Sequence, residues 1–378
     1  MNEKTESAQR SNRREFIQKT STGLAVAAVA GQAPFHIGSA RADQHNESKL
    51  GIALVGLGGL ATNQLAPALL KTKHCRLSGI VSGTPAKIER WKELYNIPAK
   101  NCYSYETYDQ IADNPDIDVI YIVLPNSMHA EYTIRAAGLG KHVLCEKPMA
   151  NSAKDCQDMI DACKKADRKL AIGYRCQFEP HHRRCIEFAR EETFGKLKMI
   201  EAGFGFRIGN PNQWRLKHDL AGGGALMDVG IYALQACRYL AGQEPVEISA
   251  TETKTDPVKF REVDESITWT MKFASGLNTY CSTTYGFSGI NRFNAYGERG
   301  WFGLNPGYSY SGITGTTSKG DAISYDNIDQ FAAEMDDFAL CVKNNRESKV
   351  SGEEGLRDLR VVEAIYQSIR TGKTVKLA

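Results

Sequence analysis

An apolar run, Gly51-Ile52-Ala53-Leu54-Val55, passes directly into Gly56-Leu57-Gly58-Gly59-Leu60-Ala61 and then into a stretch whose Leu65, Leu69 and Leu70 recur at helical spacing. Strand, glycine turn and helix in that order are what a dinucleotide-binding βαβ unit demands. Gly56 permits the tight turn, Gly58 lets the backbone approach a pyrophosphate, and Ala61 is small enough for helix and strand to pack. The phosphates would lie on the helix N-terminus, with Leu57, Gly59 and Leu60 completing the cradle. A glycine pattern alone is as compatible with an ordinary strand-to-helix turn; the order of elements gives it weight. The next strand, Arg76 to Val81, should end near the adenosine ribose, where an NAD-specific protein presents an acid to the 2′-hydroxyl. This chain has Ser82-Gly83-Thr84 there and Lys87 a turn further on, a set that suits a 2′-phosphate and points to NADP. The plainer alternative is a helix cap and a solvated lysine.

A third strand, Asp118 to Leu124, is nearly all apolar, as expected of a strand buried on both faces of a parallel sheet. Its end, Val123-Leu124-Pro125-Asn126-Ser127-Met128-His129, and the end of the next strand, His142-Val143-Leu144-Cys145 followed by Glu146-Lys147-Pro148, fall on the carboxyl edge, where an open α/β sheet binds its ligand. Glu146-Lys147 could equally be a surface ion pair. Further on, Gly222-Gly223-Gly224 reads as a flexible run leading into Ala225-Leu226-Met227-Asp228-Val229-Gly230-Ile231-Tyr232. A helix there would set Asp228 and Tyr232 one above the other on one face, a proton-handling pair.

Together with Gly173-Tyr174-Arg175 and Gln213-Trp214-Arg215-Leu216, these segments resemble the glucose-fructose oxidoreductase family of NAD(P)-dependent sugar oxidoreductases, from about Lys49 to the C-terminus. Many members carry His where this chain has Tyr232; the enzyme that names the family has Tyr. The resemblance implies Lys147 and Tyr232 as central catalytic groups with Asp228 beside them, and His129, Glu146, Tyr105 and Tyr310 among the cofactor-binding positions. The two tyrosines read as well as half-buried loop aromatics. The chemistry is independent of the resemblance. Oxidising a sugar hydroxyl needs a base within reach of its oxygen, and a neighbouring ammonium and a positive nicotinamide would both favour the Tyr232 phenolate. Asp228 would orient the sugar or hold Lys147 charged. Pro148 fixes the backbone beside Lys147 and admits a cis bond. Arg175, Trp214 and Arg215 are expected to bracket the phosphates and the adenine face, since Arg pairs with phosphate as a fork and Trp stacks on flat rings.

Asn12-Arg13-Arg14-Glu15-Phe16-Ile17-Gln18-Lys19, a mildly apolar Ala/Val/Gly region and Ala40-Arg41-Ala42 read as a twin-arginine export signal over residues 1–42, too short in its apolar part to span a membrane. The expected compartment is the periplasm, reached in the folded state through the twin-arginine machinery, with no stable membrane association. In 378 residues, 42% hydrophobic and 24% charged with a net charge of +3, nothing suggests a nucleic-acid surface. The ten cysteines are scattered without a Cys-x-x-Cys pair, so neither a metal site nor a disulfide framework is indicated, and buried thiols are expected.

The fold class is α/β: a Rossmann domain over residues 43–174, then a substrate-binding and dimerisation domain over 175–378. That domain carries a helix from about His181 to Arg190 and strand-like runs at Val246 to Thr253, Ile267 to Phe273, Leu277 to Tyr285 and Arg292 to Tyr296, which alternate as a mostly antiparallel open sheet would. Asn305 to Gly320 reads as a loop. Helices at Ile328 to Asn344 and Glu353 to Thr371 close the chain and are expected to pack back on the first domain. The resemblance implies that the open sheet face forms the subunit contact. With only Asp43 to Ser48 between the expected cleavage point and the first strand, a homodimer is expected, with a tetramer as the alternative. The leading function is a sugar oxidoreductase that keeps its NADP, oxidising an aldose at C1 and reducing a second sugar. The alternatives are a dinucleotide-dependent glycosidase of the same superfamily and a non-catalytic sugar or nucleotide sensor.

Overall fold

The computed structural model describes residues 49–377; the export signal expected over residues 1–42 and the arm expected at Asp43 to Ser48 lie outside the described residues. β1 (Leu50–Val55), β2 (Cys75–Val81), β3 (Cys102–Tyr103), β4 (Val119–Ile122), β5 (His142–Cys145) and β6 (Leu170–Ile172) pair in the order β3-β2-β1-β4-β5-β6, every pairing parallel. The chain winds away from β1 in both directions, so a crevice opens at the carboxyl ends of β1 and β4, where strand order reverses. Ile52 to Val55 and Val119 to Ile122 are buried throughout, the outcome expected of continuous apolar runs covered on both faces. The covering helices are α1 (Ala66–Leu69), α2 (Pro85–Leu94), α3 (His129–Gly138) and α4 (Ala153–Lys165). In α4 the buried residues Cys156, Met159, Ile160 and Cys163 make one helical stripe, and Ser152 caps its start by accepting from the Asp155 N–H.

The rest of the chain forms α5 (Pro180–Arg190), β7 (Leu197–Gly205), α6 (His218–Ala221), α7 (Ile231–Ala241), β8 (Pro245–Thr253), β9 (Ser266–Phe273), β10 (Asn278–Thr284), β11 (Asn291–Gly297), β12 (Gly300–Leu304), β13 (Gly315–Thr317), β14 (Ala322–Ile323), α8 (Gln330–Lys343), α9 (Gly352–Thr371) and β15 (Val375–Lys376). The second sheet runs β14-β13-β12-β11-β7-β10-β9-β8-β15 among the described residues. It is mixed, since β7 lies parallel to β10 while its other pairings are antiparallel. β7 escapes a propensity reading because it carries Gly203 and Gly205, where a Cβ would fall 2.8 Å from Ser282 Oγ and 2.6 Å from Thr284 Cγ2. β13 likewise lies inside the stretch expected to be loop. β9 displays the alternation that identifies this sheet. Ile267, Trp269, Met271 and Phe273 face the core, and Thr268, Thr270 and Lys272 face solvent with Tyr280 of β10.

α8 and α9 return to the first sheet. Asp336 of α8 accepts from the Lys73 and His74 N–H groups at 2.9 and 2.7 Å, and Glu363 of α9 accepts from the Ala153 N–H at 2.7 Å. α9 also locks α7, which carries the site. The buried Arg238 donates to Glu244, Glu354 and Asp358, and Gln235 donates to the remaining Asp358 oxygen. Every cysteine except Cys102 is buried.

Candidate active site

The chain enters the site through three packed glycines rather than a flexible run. Gly222 ends α6 in the left-handed region at φ 71°, a Cβ on Gly223 would fall 2.1 Å from the Tyr366 hydroxyl, and one on Gly224 would fall 2.0 Å from the Asp264 carbonyl oxygen. Asp264 then anchors the emerging helix, accepting from the N–H groups of Gly224 and Leu226 at 2.6 and 2.9 Å and from the Tyr366 hydroxyl at 2.7 Å. The turn Leu226–Gly230 is wound in π-helical fashion before α7 begins, as is Ala61–Leu65 across the cleft. Such wide turns recur at functional sites because they re-aim side chains.

The two members of the expected pair have different hydrogen-bond partners. Asp228 turns to Lys147, whose ammonium lies 3.3 Å from Oδ1 and donates to the Asp228 carbonyl at 2.5 Å, while Oδ2 accepts from Arg215 Nε at 3.1 Å and from the Tyr285 hydroxyl at 2.8 Å. Burial works to raise its pKa, but Lys147, Arg215 and the Tyr285 hydrogen bond together hold it at about 2. Asp228 is therefore ionised throughout the useful pH range and acts as an anchor, not a base. Tyr232 has different company. Its hydroxyl accepts from Arg175 Nε at 3.3 Å, and both Lys147 Nζ and the Arg175 guanidinium carbon lie 4.9 Å from its ring centre. Burial pushes its pKa above the ordinary phenol value and Arg175 opposes that rise.

A cleft of about 780 Å³ joins this end to the glycine loop. It is lined by Leu57, Gly58, Gly59, Leu60, Val123, Leu124, Pro125, Asn126, Glu146, Lys147, Gly173, Trp214 and Tyr310, and by Asn63, Gln64 and Phe331, which no sequence motif singled out. The loop fits a pyrophosphate. Gly56 has φ 98° with a Cβ position 2.5 Å from the Val123 carbonyl oxygen, whereas nothing lies within 4 Å of a Cβ on Gly58, so the loop presents bare backbone to the cleft. At the far end Ser82 accepts from the Thr84 N–H at 3.2 Å, the Tyr105 ring closes against Gly83, and Lys87 stands exposed in the first turn of α2. The Lys147–Pro148 bond is cis. Glu146 is buried and does not pair with the Lys147 ammonium as a surface couple would.

Ala61 is fully buried, as expected of the small residue where helix and strand pack, and does not line the cleft. Three expected contacts change. His129 is buried too, its ring nitrogens each 2.9 Å from a carbonyl oxygen, of Pro148 and of Leu124, so it supports the loop ends rather than a nucleotide. Arg175 cannot fork onto phosphate because its Nη atoms donate to Tyr308 O, Ser309 O and Gln330 Oε1. Arg215 is held by Asp228 and lies over the Trp214 ring, 4.6 Å from its centre. Tyr285, which donates to Asp228, and Asp264, which holds the start of its helix, were invisible as site residues because each ends or precedes a strand with no motif of its own.

Two family models match: the NAD-binding Rossmann fold of the GFO/IDH/MocA oxidoreductase family over residues 50–174, and that family's C-terminal alpha/beta domain over residues 187–377. The chain belongs to this family. A solved relative, aldose-aldose oxidoreductase from Caulobacter crescentus complexed with glycerol, is 45% identical, with a TM-score of 0.84 over 87% of this chain and 100% of that one. D-xylose 1-dehydrogenase [NADP(+)] from Haloarcula marismortui is 28% identical over 340 residues, 86% of this chain and 92% of its own length. Levoglucosan dehydrogenase in complex with NADH and levoglucosan, 21% identical with a TM-score of 0.76 over 87% of this chain and 99% of that one, shares the fold. As a member of the GFO/IDH/MocA family the protein is an NAD(P)-binding sugar oxidoreductase, acting on a CH–OH group.

Lys87 offers the direct test of cofactor selectivity. Lys87→Ala is expected to weaken binding of NADP more than of NAD, by about 1.5–3 kcal/mol, the range of a charge-assisted contact. Titration of both nucleotides into both proteins measures this, and equal losses would assign Lys87 to solvent.

Proposed function

We propose that the protein is a periplasmic aldose oxidoreductase that retains one NADP and uses it for two half-reactions in turn, oxidising an aldose at C1 to a lactone and reducing a second aldose. The observation that carries this is the Tyr232 environment, a half-buried phenol with two cations each 4.9 Å from its ring centre at the end of a dinucleotide cleft, and 45% identity to an aldose-aldose oxidoreductase supports the substrate class. NADP is favoured by Ser82 and Lys87 in place of an acid. When bound, the nicotinamide supplies the two-electron acceptance and return. Tyr232 as phenolate takes the hydroxyl proton of the donor sugar and, as phenol, gives it back to the carbonyl oxygen of the acceptor. Arg175 supplies positive charge that opposes the burial-driven rise in the Tyr232 pKa, and Lys147, fixed by Asp228, places a second cation 4.9 Å from the Tyr232 ring centre.

The export signal at Arg13-Arg14 supports retention, because a protein delivered folded to a space without free nucleotide must carry its own. The exposed face bearing Thr268, Thr270, Lys272 and Tyr280 is the proposed homodimer contact. Protein released from the periplasm and passed through gel filtration is expected to elute as a dimer with about one NADP per chain. Empty protein whose turnover requires added NADP would instead be an ordinary dehydrogenase.

Tyr232→Phe is expected to lower turnover by roughly two to four decades while the nucleotide stays bound. In the unaltered protein, sugar oxidation should fall as the pH drops and Tyr232 is protonated, and reduction should fall as the pH rises and the phenol is lost. Steady-state rates in both directions across pH check this; near-normal turnover of the variant would remove Tyr232 from the chemistry.

A further inference from the structure

Behind the cleft, three oxygens from three elements meet out of solvent. The Tyr121 hydroxyl at the end of β4 lies 2.8 Å from Glu146 Oε1, just after β5, and 3.0 Å from Glu334 Oε1 on α8. Tyr121 is 0% exposed, Glu334 1% and Glu146 6%. A phenol has one hydrogen and can give it to one acceptor. With both carboxyls ionised, one of these contacts would set a bare phenol oxygen against a bare carboxylate, so the trio closes only if one carboxyl keeps its proton.

The surroundings decide which. Glu146 Oε2 accepts from the Lys147 N–H at 3.2 Å, and its charged neighbours are the Lys147 ammonium and the Arg175 guanidinium; the phenols of Tyr121, Tyr232 and Tyr310 also face it. Glu334 Oε2 is buried with no hydrogen-bond partner among the described residues, and Glu334 faces Glu146, Tyr121, Arg175 and the Cys176 thiol. An orphaned neutral carbonyl oxygen costs far less than an orphaned anionic one. Burial and then the Glu146 charge push the Glu334 pKa well up, in agreement with the geometry.

We propose that Glu334 is a standing carboxylic acid that donates to Tyr121, which donates to Glu146, and that this chain fixes a single negative charge on the cleft wall beside Lys147, where it favours the positively charged oxidised nicotinamide over the neutral reduced form. The second half rests on the NADP proposal above. Glu334 and Tyr121 touch no substrate; they set the charge of Glu146, which lines the cleft.

Two readouts test it on the full chain. Infrared spectra at neutral pH are expected to contain the carbonyl band of a buried carboxylic acid, and Glu334→Gln, whose amide can donate to Tyr121 in the same way, should abolish it. Absence of the band, or its survival in Glu334→Gln, overturns the shared-proton chain. Loaded protein is then brought to fixed potentials with redox mediators, which needs no exchange of the retained nucleotide, and the bound NADP+ to NADPH ratio read from its absorbance. Glu146→Gln should shift the ratio about tenfold toward the reduced form, the scale of one nearby charge, and Glu334→Gln should leave it within about twofold. No shift in Glu146→Gln overturns the role assigned to its charge. Failure to bind either nucleotide would sink the NADP proposal and this second half with it, while the infrared result, which needs no nucleotide, still decides where the proton sits.

Discussion

The carboxylate of Asp228 joins the two halves of this molecule at the point where chemistry is to occur. Lys147 comes from the Rossmann sheet, Arg215 from a loop of the second domain and Tyr285 from the end of β10, and all three converge on Asp228. Two cations this close would repel one another in a partly dry cleft, and the anion between them is what allows Lys147 to stand beside the Tyr232 ring. Because the carboxyl titrates at about 2, that arrangement persists across the pH range in which the protein would work. The anchor is itself anchored. Asp264 holds the start of the helix, the π-wound turn aims Asp228 sideways, and the Arg238 and Asp358 network ties α7 to α9.

Two opposing effects act on Tyr232. Burial favours the neutral phenol, and Arg175 at 3.3 Å favours the phenolate. Burial outweighs Arg175, so the phenolate needs further positive charge of the kind an oxidised nicotinamide would bring. Such an arrangement couples proton acceptance to the presence of the oxidised nucleotide, which is the state in which a base is wanted. The acidic chain behind the cleft answers from the other side, placing a negative charge close to the two cations.

Much of the first domain was legible because its constraints are local. Gly56 needs a positive φ and a close approach to Val123, and no other residue type serves there, so the loop announces itself in the sequence. The alternation in β9 likewise exposes a one-sided sheet. What was not legible depends on partners distant in sequence. Arg175 reads equally well as a phosphate fork or as a buried donor to carbonyls, and only the fold, which brings Tyr308, Ser309 and Gln330 to it, decides. Glu334 looks like any helix glutamate until α8 is laid against β4. The glycines at 222–224 suggest flexibility in isolation, yet they are small because Tyr366 and Asp264 press on them. The Asp228 and Tyr232 spacing fitted an α-helix, whereas the turn that carries Asp228 is π-wound.

The central claim is that one retained nucleotide serves two sugars through one tyrosine. It is tested most directly by giving the purified protein, with no added nucleotide, a donor aldose carrying deuterium at C1 together with an unlabelled acceptor aldose, and following the label by mass spectrometry. The account predicts that the deuterium appears at C1 of the acceptor alcohol, that a large excess of unlabelled NADPH does not dilute it, and that Tyr232→Phe slows the transfer without changing its destination. Label that is lost to the free NADPH pool, or that never reaches the acceptor, would contradict it.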